Sequence, residues 1–140
     1  MVVTCIANKG TALPESYLVP DAGFRHDTTF DLTVGREYIV YAMTLFHGHM
    51  WYYICDDMYT YYPIWNPAAL FEVTDSRLPS NWRYSSFPSR NDAGEIVLFA
   101  PERWAHDPYY YDQLTDGVRE YVENFRALKA VIDQEAERKP

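Results

Sequence analysis

The alternation of apolar and polar positions along this chain changes period twice. Val2-Val3-Thr4-Cys5-Ile6-Ala7 is a short apolar run with no basic residues ahead of it, which predicts a strand rather than a leader. Residues 8–29 are crowded with turn formers (Asn8, Gly10, Pro14, Pro20, Asp21, Gly23) and predict a long loop with an extended piece around Tyr17-Leu18-Val19. From Phe30 the period becomes two. Glu37 to Phe46 reads as a strand, His47-Gly48 as a tight turn, and His49 to Cys55 as the returning strand of a β-hairpin. Unbroken alternation would put Ile39, Tyr41, Met43 and Leu45 on one face and Tyr38, Val40, Ala42 and Phe46 on the other. Both faces are then apolar, so the hairpin must be central or covered by a partner.

Asp56-Asp57 closes the hairpin, Tyr59 to Tyr62 offers a third strand, and Pro63 and Pro67 confine the next segment to an edge strand or loop. Leu70, Phe71 and Val73 add another strand, and Ile96-Val97-Leu98-Phe99 one more. Between them, residues 75–94 are polar apart from Leu78, Trp82, Tyr84 and Phe87, which predicts a surface loop anchored by Trp82. Pro101-Glu102-Arg103-Trp104 opens a helical turn. After Pro108 the period lengthens to that of a helix: Leu114, Val118, Tyr121, Val122, Phe125, Leu128 and Ile132 recur at spacings of three and four. They describe one amphipathic helix of about six turns, capped by Asp112 or Thr115. The expected fold class is α+β: a small, strongly bent antiparallel β-sheet or SH3-like barrel with a long C-terminal amphipathic helix. The expected organisation is a single domain over residues 1–140, β-rich over about 1–100 and helical over about 101–138.

Composition narrows the classes of function. A 140-residue chain that is 48% hydrophobic and carries 13 Tyr, 7 Phe and 4 Trp is too apolar for a disordered tail and long enough to build a core without staples. Net charge −8 disfavours nucleic acid and anionic membranes and admits a basic protein partner. No window offers the roughly 18 apolar residues of a transmembrane helix. Cys5 and Cys55 both sit in apolar strand-like runs, which favours reduced thiols and a cytoplasmic location.

Catalytic chemistry is thinly represented. His47 and His49, at i and i+2, can share a strand face, but two ligands do not make a metal site and Cys55, Asp56 and Asp57 lie a strand's length away. Only a distant loop carrying His26, Asp27 or His106 could complete one, and exposed turn histidines are the plainer reading. Adjacent Asp56 and Asp57 would point to opposite faces of a strand and cannot share a proton as a dyad. Cys55 has an acid and no histidine beside it, the wrong setting for a nucleophile. The chain carries no nucleophile elbow, phosphate-binding loop, dinucleotide fingerprint or C-x-x-C. No enzyme, cofactor or metal is therefore expected.

The informative feature is an asymmetry of charge. Between Arg36 and Arg77 there is no Lys or Arg, while Glu37, Asp56, Asp57, Glu72 and Asp75 are acidic and seven of the thirteen tyrosines accompany Trp51 and Trp65. Tyr and Trp give rigid contact area with a polar tip, and acids beside them suit a cationic partner. A second acidic group, Asp107, Asp112, Asp116, Glu120 and Glu123, flanks Tyr109-Tyr110-Tyr111 and also suits a helix dipole. Three consecutive tyrosines cannot all be buried from one turn, so at least one should face solvent.

The run Phe30-x-Leu32-x-x-Gly35-x-x-Tyr38-x-Val40-Tyr41, then Trp51 to Asp57, then Pro63-Ile64-Trp65-x-Pro67-Ala68-x-Leu70-Phe71-Glu72-Val73, resembles small bacterial SH3-like proteins of the toxin-immunity kind over about residues 30–75. The resemblance implies a bacterial immunity protein that neutralises a toxin. With the acidic, tyrosine-rich segment it gives the leading expectation: a non-enzymatic binding protein that occludes a basic partner, such as a toxic nuclease. Its expected contact residues are Asp56, Asp57, Tyr59, Tyr61, Tyr62, Trp65 and Glu72. Two alternatives stand beside it: an SH3-like adaptor whose tyrosines and Trp65 hold a proline-rich peptide, and a small metal-dependent hydrolase using His26, His47, His49 or His106.

Overall fold

Strand β2, Glu37–Phe46, is the axis on which everything else is hung. A computed structural model describes residues 1–17, 25, 27–46, 48–88 and 94–138. Along one edge β2 pairs with β3, His49–Ile54, closing the expected hairpin at Phe46↔His49. The other edge is divided: β1, Val2–Cys5, takes its first residues (Val2↔Ile39 to Thr4↔Glu37), and β7, Glu95–Pro101, takes Met43–Leu45. Beyond β3 lies β4, Ile64–Pro67; beyond β1 lies β5, Phe71–Asp75; beyond β7 lies β6, Trp82–Pro88. All seven strands pair antiparallel in one open sheet.

The sheet curls. Strands β3 and β5 are three neighbours apart along the path, about 14 Å in a flat sheet, yet Tyr52 and Phe71 bring their ring centroids to 6.0 Å. The concave side encloses a core of Val3, Tyr38, Val40, Trp51, Ile54 and Leu70, closed by Leu13, Tyr17, Phe30 and Leu32 from the long loop after β1. Leucine and aromatic residues of that loop are thus core. The extended piece expected at Tyr17-Leu18-Val19 is described only at Tyr17, which lies in a 3-10 turn, Glu15–Tyr17; the rest falls outside the described residues.

Strict alternation along β2 fails at one residue. Val40 pairs with Ile54 and Ala42 with Tyr53, so Tyr41 is an extra residue in the ladder, a β-bulge that shifts the phase of everything after it. Tyr38, Val40 and Met43 face the concave core, while Ile39, Tyr41 and Ala42 face a second core on the other side. Leu45 is left exposed. The hairpin is central, as its two apolar faces required.

The second core is roofed by helices. After a short turn α1, Glu102–Ala105, the chain forms α2, Tyr110–Thr115, and α3, Arg119–Glu137. The single six-turn helix expected from the spacing is broken at Gly117, whose φ of 76° lies in the left-handed region that a side chain disfavours. Leu114 therefore packs from α2, and Phe125 and Ile132 from α3, around Trp104 and Tyr110. Neither proposed cap serves α3: its N-cap is Val118, without a side-chain bond, and the Thr115 hydroxyl donates back to the carbonyls of Tyr111 and Asp112. The Tyr41 hydroxyl donates to Asp133 on α3 at 2.6 Å, so the bulge residue is also a tether for the helix.

Two further expectations change. Tyr59 to Tyr62 is an irregular turn rather than a strand, and β4 begins after Pro63. The polar stretch 75–94 contains β6, because only β7 flanks it and Arg83, Tyr84 and Ser86 can stay in water along an edge strand. Trp82 anchors that segment as expected, its indole N–H donating to the Tyr41 carbonyl at 3.0 Å. Cys5 belongs to the concave core and Cys55 packs against the helical one, each a free thiol.

Candidate functional site

The turn between β3 and β4 collects most of the residues singled out by charge and aromaticity. Asp56 is buried, and its Oδ1 accepts the backbone N–H groups of Met58 and Tyr59 at 2.9 and 2.8 Å, which folds the chain back on itself. Burial raises the Asp56 carboxyl above the ordinary range, with Asp31 and Asp57 adding repulsion, against the two N–H bonds that lower it. Asp57 ties this turn to the start of β2. Its carboxylate accepts the Thr33 hydroxyl, the Tyr38 hydroxyl and the Arg36 guanidinium, each at 2.7 Å, and its backbone N–H donates to the Asp31 carbonyl. Desolvation would raise its pKa, but those hydrogen bonds and the Arg36 charge hold it below the ordinary value.

On this scaffold stand three phenol rings. Tyr59 and Tyr62 are 5.3 Å apart, Tyr61 and Tyr62 4.7 Å at a near-perpendicular 83°, and Tyr59 and Tyr61 6.2 Å. Tyr61 and its neighbour Met58 are each 64% exposed, whereas Tyr59 and Tyr62 are half-buried beneath them. Behind the ridge, Tyr111 donates its hydroxyl to the Pro63 carbonyl at 2.7 Å, clamping the end of the turn to α2. Exposed Met58 and Tyr61 thus stand on the turn that Asp57 and Arg36 bind to the start of β2, and Asp31 adjoins that turn through its carbonyl, which accepts the Asp57 N–H, and through its charge, which acts on Asp56.

Of the seven expected contact residues, the structure brings Asp56, Asp57, Tyr59, Tyr61 and Tyr62 together and sets two apart. Trp65, on β4, packs its ring against Phe46 and Trp51 at 5.7 and 5.0 Å. Glu72, on β5, pairs across Thr4 with Glu37 and so shares Glu37's face, the opposite one from Tyr38, whose hydroxyl holds Asp57. Within the group of five, Asp56 spends its carboxylate on the turn itself and Asp57 on Thr33, Arg36 and Tyr38 at the start of β2, and Tyr61 is the member most open to a partner. Met58 and Asp31 belong to the surface and had no local signal; Asp31 lies 25 residues before Asp56 and reaches it only through the pairing of the two segments.

The other candidates disperse. His49 stacks its ring on Tyr17 at 3.9 Å, and His106 is the exposed residue that ends α1. His26 and His47 lie outside the described residues. Among the described residues no three His, Cys, Asp or Glu side chains gather as a metal site would require. Burial pushes the Cys55 thiol up to about 12 despite the opposing charge of Lys129, so it stays protonated at neutral pH. Of the consecutive tyrosines, Tyr110 is fully buried and donates to Asn124 at 2.7 Å, while Tyr109 is 56% exposed, as the crowding argument required. No helix among the described residues is long and apolar enough to cross a membrane. No protein-family model, curated protein or solved structure matches this chain.

Proposed function

We propose that the protein is a non-enzymatic binding protein whose tyrosine ridge, Tyr59 to Tyr62 with Met58, docks on a basic protein partner and occludes it, in the manner of an immunity protein against a cationic toxin. The observation that carries this reading is the ridge itself: exposed Tyr61 and Met58 over two supporting phenols, held rigid by Asp56 and Asp57. A preformed aromatic anchor loses little side-chain entropy on binding, which is the profile of an interface hot spot. The net charge of −8 then speeds encounter with a cationic partner over a longer range. In this arrangement Asp56 and Asp57 hold the ridge from beneath, Asp31 supplies negative charge at its foot, and Trp65 and Glu72 lie outside the contact.

The test is capture of partners from native cells by the tagged protein, washed at low and high salt, with Tyr61→Ala and Asp31→Asn run in parallel. The expected result is one stoichiometric basic protein, lost with Tyr61→Ala and, with Asp31→Asn, bound more weakly at low salt and with a shallower dependence on salt. A partner retained in full by Tyr61→Ala, or one without excess positive charge, overturns the reading.

A further inference from the structure

Among the described residues three strands have an unpaired edge, and two of them are blunted. β4, Ile64–Pro67, has four residues and ends on a proline, while β5, Phe71–Asp75, carries Glu72 and Asp75. Shortness, proline and charge are the ordinary means of keeping an edge from pairing with another chain. β6, Trp82–Pro88, has seven residues and no acid, and only β7 pairs with it among the described residues.

The bonds at Trp82 fix which backbone groups of β6 point outward. Its N–H donates to the Pro79 carbonyl at 3.2 Å, its own carbonyl accepts the Arg83 guanidinium at 2.8 Å, and Pro101 opposite it has no N–H. Trp82 therefore turns its backbone away from β7, and by alternation so do Tyr84, Ser86 and Pro88. Trp82 is already satisfied and Pro88 has no N–H. Tyr84 and Ser86 remain, each offering both a donor and an acceptor.

A second copy of the chain fits this edge in one register. Antiparallel pairing about a two-fold axis at Ser85 sets Tyr84 opposite Ser86 of the second copy, and Ser86 opposite its Tyr84, so that each pair exchanges two hydrogen bonds. An axis at Tyr84 would set Ser86 against the satisfied Trp82, and an axis at Ser86 would set Tyr84 against Pro88. The side chains agree with the axis at Ser85. Tyr84, 60% exposed and 5.6 Å from Phe99, meets a serine, and the two Tyr84 side chains stand diagonally at about 7–8 Å, a span aromatic rings bridge. The residue that meets itself, Ser85, is small. Arg83 lies towards one end of the β6–β7 hairpin and Glu95 at the other, so the antiparallel arrangement brings the cation of each copy towards the acid of the other.

We propose that the protein forms a two-fold dimer through β6, joining two seven-stranded sheets into one. The proposal is independent of the partner assigned to the tyrosine ridge. One strand edge and a pair of rings make a small interface, so the dimer is reversible, and the net charge of −8 on each copy opposes it at long range. Sedimentation of the full-length protein from micromolar to millimolar concentration should show the mass rising from monomer to dimer, at lower concentration as salt screens the repulsion. Tyr84→Ala should weaken the dimer several-fold. The register is read by cross-linking under mild oxidation, against a wild-type background in which Cys5 is buried and Cys55 half-buried. Ser85→Cys should form a linked dimer at least about 10-fold faster than Ser86→Cys, because paired Ser85 Cα atoms stand about 4.5 Å apart and those of Ser86 lie beyond the reach of a disulfide. Ser86 is the more exposed of the two, so random collision would reverse that order. A monomer at every concentration, a dimer that weakens as salt rises or ignores Tyr84→Ala, or equal cross-linking at the two serines overturns the proposal.

Discussion

The hydroxyl of Tyr41 offers a clean perturbation, because it leaves the ring and removes one bond between sheet and helix. Tyr41 is the bulged residue of β2; its hydroxyl donates to Asp133 at 2.6 Å, while Lys129 holds the other Asp133 oxygen at 2.7 Å and lies over the Tyr41 ring at 5.3 Å. Burial and the Asp133 carboxylate both hold the phenol neutral, so its proton is in place for the bond to Asp133. A hydrogen bond to a charged acceptor contributes about 1.5–3 kcal/mol. Because Lys129 continues to compensate Asp133, Tyr41→Phe should fall at the lower end, about 1.5 kcal/mol. With a urea m-value of about 2 kcal/mol/M the midpoint should fall by roughly 0.8 M. Tyr41→Phe, Asp133→Ala and the double variant form a cycle, read by tryptophan fluorescence and circular dichroism together to verify two-state unfolding. A coupling energy of about 1.5 kcal/mol is expected. A value under about 0.5 kcal/mol would refute the tether, and with it the idea that the bulge is kept for the sake of the helix.

Other perturbations separate the remaining parts of the account. Gly117→Ala should cost about 1–2 kcal/mol by forcing a side chain into a left-handed backbone, with no steric component since nothing lies within 4 Å of the added carbon; calorimetric melting checks it. Phe125→Ala should cost about 3–5 kcal/mol, lowering the melting temperature more than any ridge variant, since Phe125 is fully buried beneath α3. Asp57 has a lowered pKa in the folded state, so the stability it contributes is complete above the ordinary carboxylate range and is lost as pH falls through that range towards its folded value. Asp57→Asn should therefore flatten the acid limb of the stability profile below about pH 4, measured by urea midpoints across pH. Tyr61→Ala should leave stability within about 0.5 kcal/mol, as an exposed substitution does, and alter only binding.

Much of the fold was legible because its signals are local. The hairpin was announced by two apolar runs around His47-Gly48, the edge strand by Pro63 and Pro67, and the helical third by its spacing from Leu114 onward. What escaped was settled by non-local pairing. The bulge at Tyr41 depends on which residues of β3 oppose it, and period-two reading presumes an unbroken ladder. Gly117 sat inside an apolar rhythm that continued across it, so the rhythm hid the break. Strand β6 looked like loop because an edge strand keeps one side in water. At the candidate site, the composition drew attention to the turn between β3 and β4 but not to the roles its residues play within the fold. Asp56 and Asp57 read as surface charge until Met58, Tyr59, Thr33, Arg36 and Tyr38 were found to use them.

The most direct test of the central claim, that the tyrosine ridge is the contact surface, is the footprint of the bound partner measured by hydrogen exchange on the complex. Slowed exchange confined to residues 57–62 and the facing segment around Asp31, with an association rate that falls as salt rises, is the predicted result. Slowed exchange on α3 or along β6 instead, with residues 57–62 unchanged, would contradict it.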